Sequence, residues 1–213
     1  MSNNRLAHLI YDNLRNLIKQ NDKVSITNIG HNAYFRKQIK GIGNKILIGK
    51  GTSIADGFIR IVGNNNSIIF GERCSIGHNC SFWMEGDNIE IIIGNDCTFT
   101  LSVHINAQEN GSKIVIGNDC MLSNHIIIRT SDSHPIFNIE SKKRINCAKP
   151  IFIGNHVWIA PDSKIMKGCT IGDGAIIGSS TIVTKDVPSY SLAVGMPSKV
   201  VKTNIMWTRD KLF

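Results

Sequence analysis

Residues 153–188 read IGNHVW IAPDSK IMKGCT IGDGAI IGSSTI VTKDVP, six consecutive hexapeptides that open with Ile five times and Val once. Their fifth positions are Val157, Ser163, Cys169, Ala175, Thr181 and Val187, all small. A helix needs a period near 3.6, so this stretch is not helical. A six-residue period predicts a parallel β-helix, in which each hexapeptide forms one side of a coil and successive coils stack.

The same phrase returns upstream as FGERCSIGHNCS from 70, IGNDCTFTLSVH from 93 and IGNDCMLSNHII from 116, and IGKGTSIADGFI from 48 is an earlier coil. The leading residues at 70, 93 and 116 are 23 apart, five more than three hexapeptides, so GDNIE and ENGSK are expected to bulge at a corner. Some seven coils at a spacing of about 4.8 Å would form a rod roughly 35 Å tall. Its interior is filled, so function must sit on loops and at surfaces between subunits.

Five of the six cysteines test the register. Cys74, Cys80, Cys97, Cys120 and Cys169 all fall on the small fifth position, which makes them packing residues. Parallel side chains in one column are badly oriented for a disulfide. Cys147 lies outside the repeat and is the one candidate for a reactive thiol.

The 213 residues leave room for one domain. The organisation expected is an N-terminal helix over 1–22, a β-helix domain over 23–202 carrying a loop at 131–150, and a C-terminal tail over 203–213. Leu6, Leu9, Ile10, Leu14, Leu17 and Ile18 give the helix one apolar face after Ser2, Asn3 and Asn4. Packing on the β-helix or a neighbouring subunit is the favoured role for it. Docking on a membrane through Arg5, Arg15 and Lys19 is the other. No apolar run reaches the roughly eighteen residues of a membrane span, and the start MSNNRLAHLI lacks the order of a secretion signal, so a cytoplasmic place is expected. It admits a peripheral position at the inner face of the membrane. The formal net charge is +8, and residues 1–60, with ten Lys or Arg against three Asp, hold +7 of it. That bias suits an acidic partner, or is simply a solvated face.

Residues 150–202, with IGNHVWIA, the hexapeptides, VTKDVP and the closing GMPSKVV, resemble the hexapeptide-repeat acyltransferases that use acetyl-CoA. RTSDSHPIFNIESKKRIN at 129–146 and KTNIMWTRDKLF at 202–213 further resemble the capsular polysialic-acid O-acetyltransferases. The resemblance implies an all-β, left-handed parallel β-helix with a short N-terminal α-helix and a protruding loop, assembled as a homotrimer with active sites between subunits. It implies acetyl transfer from acetyl-CoA to a hydroxyl of a cell-surface glycan, acidic in character: polysialic acid, or another capsular or lipopolysaccharide sugar. The alternative is a small acceptor of the serine, amino-sugar or antibiotic type. Neither nucleic acid nor an integral membrane segment belongs to this reading.

The resemblance also suggests roles. His134, in its His-Pro setting, would be the base that takes the hydroxyl proton, a task suited to neutral imidazole near pH 7. Trp158, at an outward sixth position, would lie beside thioester and acceptor, or serve as a subunit contact. For coenzyme A, Ala160, Gly178, Ser179 and Ser180 would give the pantetheine arm small neighbours, Lys185 and Lys199 would meet phosphates, and Pro197 would flank the adenine. Lys142, Lys143 and Arg144 form a basic cluster on the same excursion as His134, where an acidic acceptor could be steered. A zinc reading through His78, His104, His125, His134 and His156 finds no paired short spacing, and no metal is expected.

Overall fold

The computed structural model describes residues 24–30 and 32–212; the expected N-terminal helix lies outside them. The described chain forms strands wound into three-sided coils. One face stacks Val24–Asn28, Asn44–Ile48, Ser67–Phe70, Glu90–Ile93, Lys113–Ile116, Ile151–Ile153 and Thr170–Ile171, every neighbouring pair parallel. Val187 adds an eighth level through a bridge to Ile171. The second face carries Thr98–Leu101, Met121–Asn124, Trp158–Ile159, Ile176–Ile177 and Ser191–Val194. The third carries His104–Gln108, Ile127–Arg129, Lys164–Ile165 and Ile182–Val183. In the lower coils the second and third faces run into single long strands, Ala33–Lys40, Ser53–Val62 and Ser75–Glu85, with register shifts at Ala33/Phe35 and Asp56/Gly57.

Each letter of the repeat has a physical task. The leading residues Ile48, Phe70, Ile93, Ile116, Ile153 and Ile171 are successive register partners and form one buried column. The glycine that follows is demanded by close approach: a Cβ on Gly94 would lie 2.6 Å from the Gly117 backbone, and one on Gly117 2.6 Å from the Gly154 carbonyl oxygen. The next letter caps the coil below. Asn95, Asn118, Asn155 and Asp173 each accept, through Oδ1, the backbone N–H of Glu72, Asn95, Asn118 and Asn155 at 2.6–2.9 Å. The fourth letter turns the corner in the left-handed region, with φ of 54° at Arg73, 59° at Asp96, 55° at Asp119 and 53° at His156. Such a φ is unfavourable for side chains other than glycine, and at each corner the N–H donates to a carbonyl of the coil below, which helps hold it.

The fifth letter is where the cysteines sit, and all five named above are buried. Their thiols also do something the pattern did not reveal. Cys74, Cys97 and Cys120 donate from Sγ to the carbonyl oxygens of Gly94, Gly117 and Gly154 at 3.0, 3.1 and 3.1 Å. Thr52 occupies the same place one coil lower and donates from Oγ1 to Gly71 O at 2.6 Å. In the lower four levels of this column a small side chain with a donor is used, while Val157 and Ala175 above are small and apolar. The six cysteines are free, and Cys147 is exposed.

The first face is apolar on both sides: Leu47, Ile69, Ile92 and Val115 form a second buried column on its outer surface, with Phe152 packed against it. That is why its segments read as near-continuous apolar runs such as EIII and KIVI. The second and third faces, and the edges, remain for chemistry.

Replacing Cys97 by Thr is expected to leave stability nearly unchanged. Cys97→Ala should cost about 1 kcal/mol through the lost donor, and Cys97→Leu about 1–3 kcal/mol through overpacking, all read from denaturant midpoints. Burial pushes the Cys169 thiol up to about 11, and the neighbouring Cys97 thiol together with burial raises Cys74 further. Thiol titration of the native protein should therefore modify Cys147 alone. Rapid modification of the others would break this register.

Candidate active site

The excursion 131–150 leaves the third face after Arg129 and returns to the first face at Ile151. It is a folded hairpin: Phe137 pairs antiparallel with Arg144, Asn138 N donates to Lys143 O, and Ile145 N donates to Ile136 O. Its base is tied down by Asn146, which is only 8% exposed. Asn146 Oδ1 accepts from Ile136 N at 2.7 Å, and its Nδ2 donates to Asp132 and to the carbonyl of His134, both at 2.9 Å. Lys167 pairs with Asp132 and donates to the Asn146 carbonyl at 2.9 Å. On the other side Arg144 makes two bonds to Glu109, at 2.8 and 2.6 Å, and Ser131 Oγ donates to the same carboxylate at 2.7 Å. Ser133, at φ 68°, donates to Gln108 Oε1 and accepts from Arg129 Nη2 at 2.9 Å.

The residues flanking His134 are thus fixed from both sides, while its imidazole is exposed and makes no hydrogen bond among the described residues. Hydrogen bonds from Arg144 hold the Glu109 carboxyl below its ordinary value. Lys167 and then Asn146 do the same for Asp132. Both anchors are therefore ionised in the neutral range. Lys142 and Lys143 stand exposed at the hairpin tip, whereas Arg144 belongs to the loop's scaffold.

Trp158 opens a second-face strand and is half-buried because Trp207 lies against it, ring centroids 6.0 Å apart. Trp207 donates from Nε1 to His156 O at 2.9 Å and stacks on the His156 ring at 4.0 Å. His156 in turn bonds Asp119 through Nδ1 at 2.6 Å and the Trp207 carbonyl through Nε2 at 3.0 Å. Arg209 joins the same Asp119 at 2.6 Å and donates to Thr98 Oγ1 at 3.0 Å. The stretch expected as a tail therefore folds back over the edge between the first and second faces. The spacing of the sequence carried no signal for this, because the partners lie far apart in the chain, 51 residues for Trp207 and His156 and 111 for Arg209 and Thr98.

Ala160, Gly178, Ser179 and Ser180 line the edge between the second and third faces in the upper coils. Ala160 is buried, and its N–H donates to Ile177 O at 2.8 Å. A Cβ at Gly178 would meet Val194 Cγ1 at 2.7 Å. The closing loop joins this edge where Ile182 N donates to Gly195 O at 3.0 Å; it holds Pro197 after a cis bond from Met196, and Lys199, the register partner of Val194. Lys185 stands apart, on the edge between the third and first faces from which the His134 loop also springs.

Two further histidines make local contacts: His104 Nδ1 lies 2.7 Å from Ser81 Oγ, and His125 lies 3.4 Å from Asp162. Among the described residues no group of three or more His, Cys, Asp and Glu could hold a metal ion, and none of their helices is long and apolar enough to cross a membrane.

A family model of the bacterial transferase hexapeptide, six repeats, matches residues 150–185. The crystal structure of the polySia-specific acetyltransferase NeuO superposes with a TM-score of 0.68 and 33% identity, covering 92% of this chain and 86% of that one. The chain belongs to the hexapeptide-repeat transferase family. A second solved structure, of the polysialic acid O-acetyltransferase OatWY, gives a TM-score of 0.57 and 31% identity over 83% of this chain and 92% of its own. The curated polysialic acid O-acetyltransferase of Escherichia coli O1:K1 / APEC is 48% identical over 88 residues, 41% of this chain. That match spans only 29% of the relative's length.

Asn146→Ala and Glu109→Gln should each free the hairpin without unfolding the coils: limited proteolysis within 136–145 should accelerate about tenfold or more while the melting midpoint moves little. The two depressed carboxylates give the anchoring its pH sign. It is complete above the ordinary carboxylate range and is lost only as pH falls through the lowered values of Glu109 and Asp132. Hydrogen exchange of the hairpin amides at pH 7 and in acid checks this.

Proposed function

We propose that this protein is an O-acetyltransferase that moves acetyl from acetyl-CoA to a hydroxyl of an acidic cell-surface glycan, with polysialic acid the favoured acceptor. The observation that carries it is the exposed imidazole of His134 on a backbone clamped by Asn146, in a loop whose tip carries the exposed Lys142 and Lys143, in a chain that matches two solved polysialic-acid acetyltransferases along most of its length.

In the reaction, the neutral His134 imidazole takes the proton of the acceptor hydroxyl as its oxygen attacks the thioester carbonyl. The tetrahedral intermediate collapses, the carbon–sulfur bond breaks, and the proton on His134 passes to the departing thiolate, giving the O-acetyl ester and coenzyme A. The long pantetheine arm runs along the edge of Ala160, Gly178, Ser179 and Ser180, where side chains are small or absent, and Pro197 flanks the adenine. Lys199 meets its phosphates from the closing loop, and Lys185, on the other edge, joins them from the neighbouring subunit.

One chain does not bring its own His134 and Trp158 into contact; the loop springs from one edge and the indole from another face. Our reading therefore joins His134 of one subunit with Trp158 of the next in a homotrimer, so that both edges contribute to one cleft. Trp158, braced by Trp207, offers a flat surface at the cleft wall. This reading includes a cytoplasmic location, where acetyl-CoA is available.

His134→Ala should lower turnover about 10²–10⁴-fold while calorimetry finds coenzyme A binding intact. An unchanged rate would remove His134 from the role of base. Mass spectrometry of products from polysialic acid, its monomer and small hydroxyl compounds decides between the polymer and small-acceptor readings.

Charge gives a second test. The KM for a long acidic polymer should rise steeply with salt, and that for acetyl-CoA only modestly. Lys142→Ser with Lys143→Ser should reproduce the weakening at low salt, Arg144 being left in place to keep the loop anchored. Flat kinetics in both experiments would favour a small acceptor.

A further inference from the structure

Below the His134 loop, the outward side of the third face carries a strip that the reaction leaves unused. One column runs Gln38, Arg60, Trp83, Asn106 and Arg129, each the register partner of the next over five coils. Its polar and aromatic character departs from a coat of charged side chains. Trp83 keeps 37% of its surface exposed, an expensive choice for a residue whose ring would gain by burial. The ring is also braced: the Arg60 guanidinium lies 5.1 Å from its centroid and is itself held by Glu85 at 3.2 Å.

Beside this column, a cavity of about 200 Å³ opens among Arg36, Asp56, Phe58, Asn79 and Ser81. Arg36 sits 6.0 Å above the Phe58 ring and makes no ion pair among the described residues. Lys37 and Lys40 stand exposed on the same strand. Ser81 is engaged by His104 and the Asn79 amide nitrogen by Ser102, so the uncommitted guanidinium, the Asp56 carboxylate and the aromatic surfaces define the chemistry: a sugar that carries a carboxylate, its apolar face on an aromatic ring, its acid on the arginine and a hydroxyl donating to Asp56.

The upper end of the strip meets the catalytic loop. From Trp83 two rungs lead to Arg129, about 10 Å at the usual strand spacing, and Arg129 Nη2 donates to Ser133, the residue before His134. A chain laid along the face with one residue at His134 would pass Trp83 and end at the Arg36 cavity.

We propose that this strip is a set of subsites for the acceptor beyond the residue being acetylated, and that its ligand is a linear acidic glycan. The inference rests on the acceptor reading given above and adds to it a distal binding surface, which makes the enzyme selective for chain length.

Acetyl transfer to a sialic-acid dimer and to long polysialic acid, compared in the intact protein, tests it. Wild type should have a much lower KM for the long chain. Trp83→Ala and Arg36→Ser should each raise the long-chain KM about 5–30-fold, with KM for acetyl-CoA and kinetics on the dimer within twofold of wild type. Trp83→Phe should keep most of the length preference, and unchanged melting midpoints should confirm that the variants are folded. Equal use of dimer and polymer by wild type, or equal loss on both in the variants, overturns the subsites and leaves the acetyltransferase reading standing. Failure of wild type to acetylate any sialic-acid chain overturns both.

Discussion

Everything in this molecule depends on backbone resting on backbone along the glycine edge. Gly94 against Gly117, and Gly117 against Gly154, approach so closely that a single added carbon would fall 2.6 Å from the next coil. That contact sets the level of each coil, and the other letters follow from it. The asparagine behind the glycine reaches the N–H of the coil below, the corner residue adopts a positive φ, and the thiol or hydroxyl at the fifth position finds a glycine carbonyl overhead. The interior is thus held by short, repeated hydrogen bonds as well as by the isoleucine column.

A structure made this way can host an excursion at little cost. Arg129 and Ile151 belong to adjacent faces of the stack, so twenty residues can leave and return while the coils below and above keep their register. What such an excursion lacks is a core of its own, and polar contacts replace it. Glu109 from the coil below and Lys167 from the coil above grip the two sides of the hairpin, with Asn146 as the central tie. Rigidity near His134 is therefore borrowed from the rod.

The same logic explains how surfaces are divided. The first face is apolar inside and outside, which withdraws it from chemistry. The third face leads polar and aromatic side chains up to the loop. The second face carries Trp158 midway up, and the returning chain with Trp207 and Arg209 covers the edge beside it. The small steps at Ala160 and Gly178 and the loop that carries His134 thus lie on separate parts of one chain, which is why the proposed reading calls on a neighbouring subunit.

By itself the sequence determined the coils from Ile48 onward, the inward cysteines, the bulges near residues 88 and 110 and the place of the excursion, because each reflects a local period repeated every six residues. It began the β-helix domain at 23 but gave the lowest coil no register, since Val24–Asn28 and Ala33–Lys40 lack the phrase and are recruited by pairing with Asn44–Ile48 and Ser53–Val62. Nor did it separate Arg144 from Lys142 and Lys143: three adjacent cations look alike until Glu109, 35 residues earlier, takes one of them. The return of Trp207 to His156, and the alignment of Arg60, Trp83 and Asn106 in one column, were likewise decided only in three dimensions. A short period specifies which side of a strand a residue faces; which residues meet across rungs depends on the lengths of every corner between them, and those sum only in the folded stack.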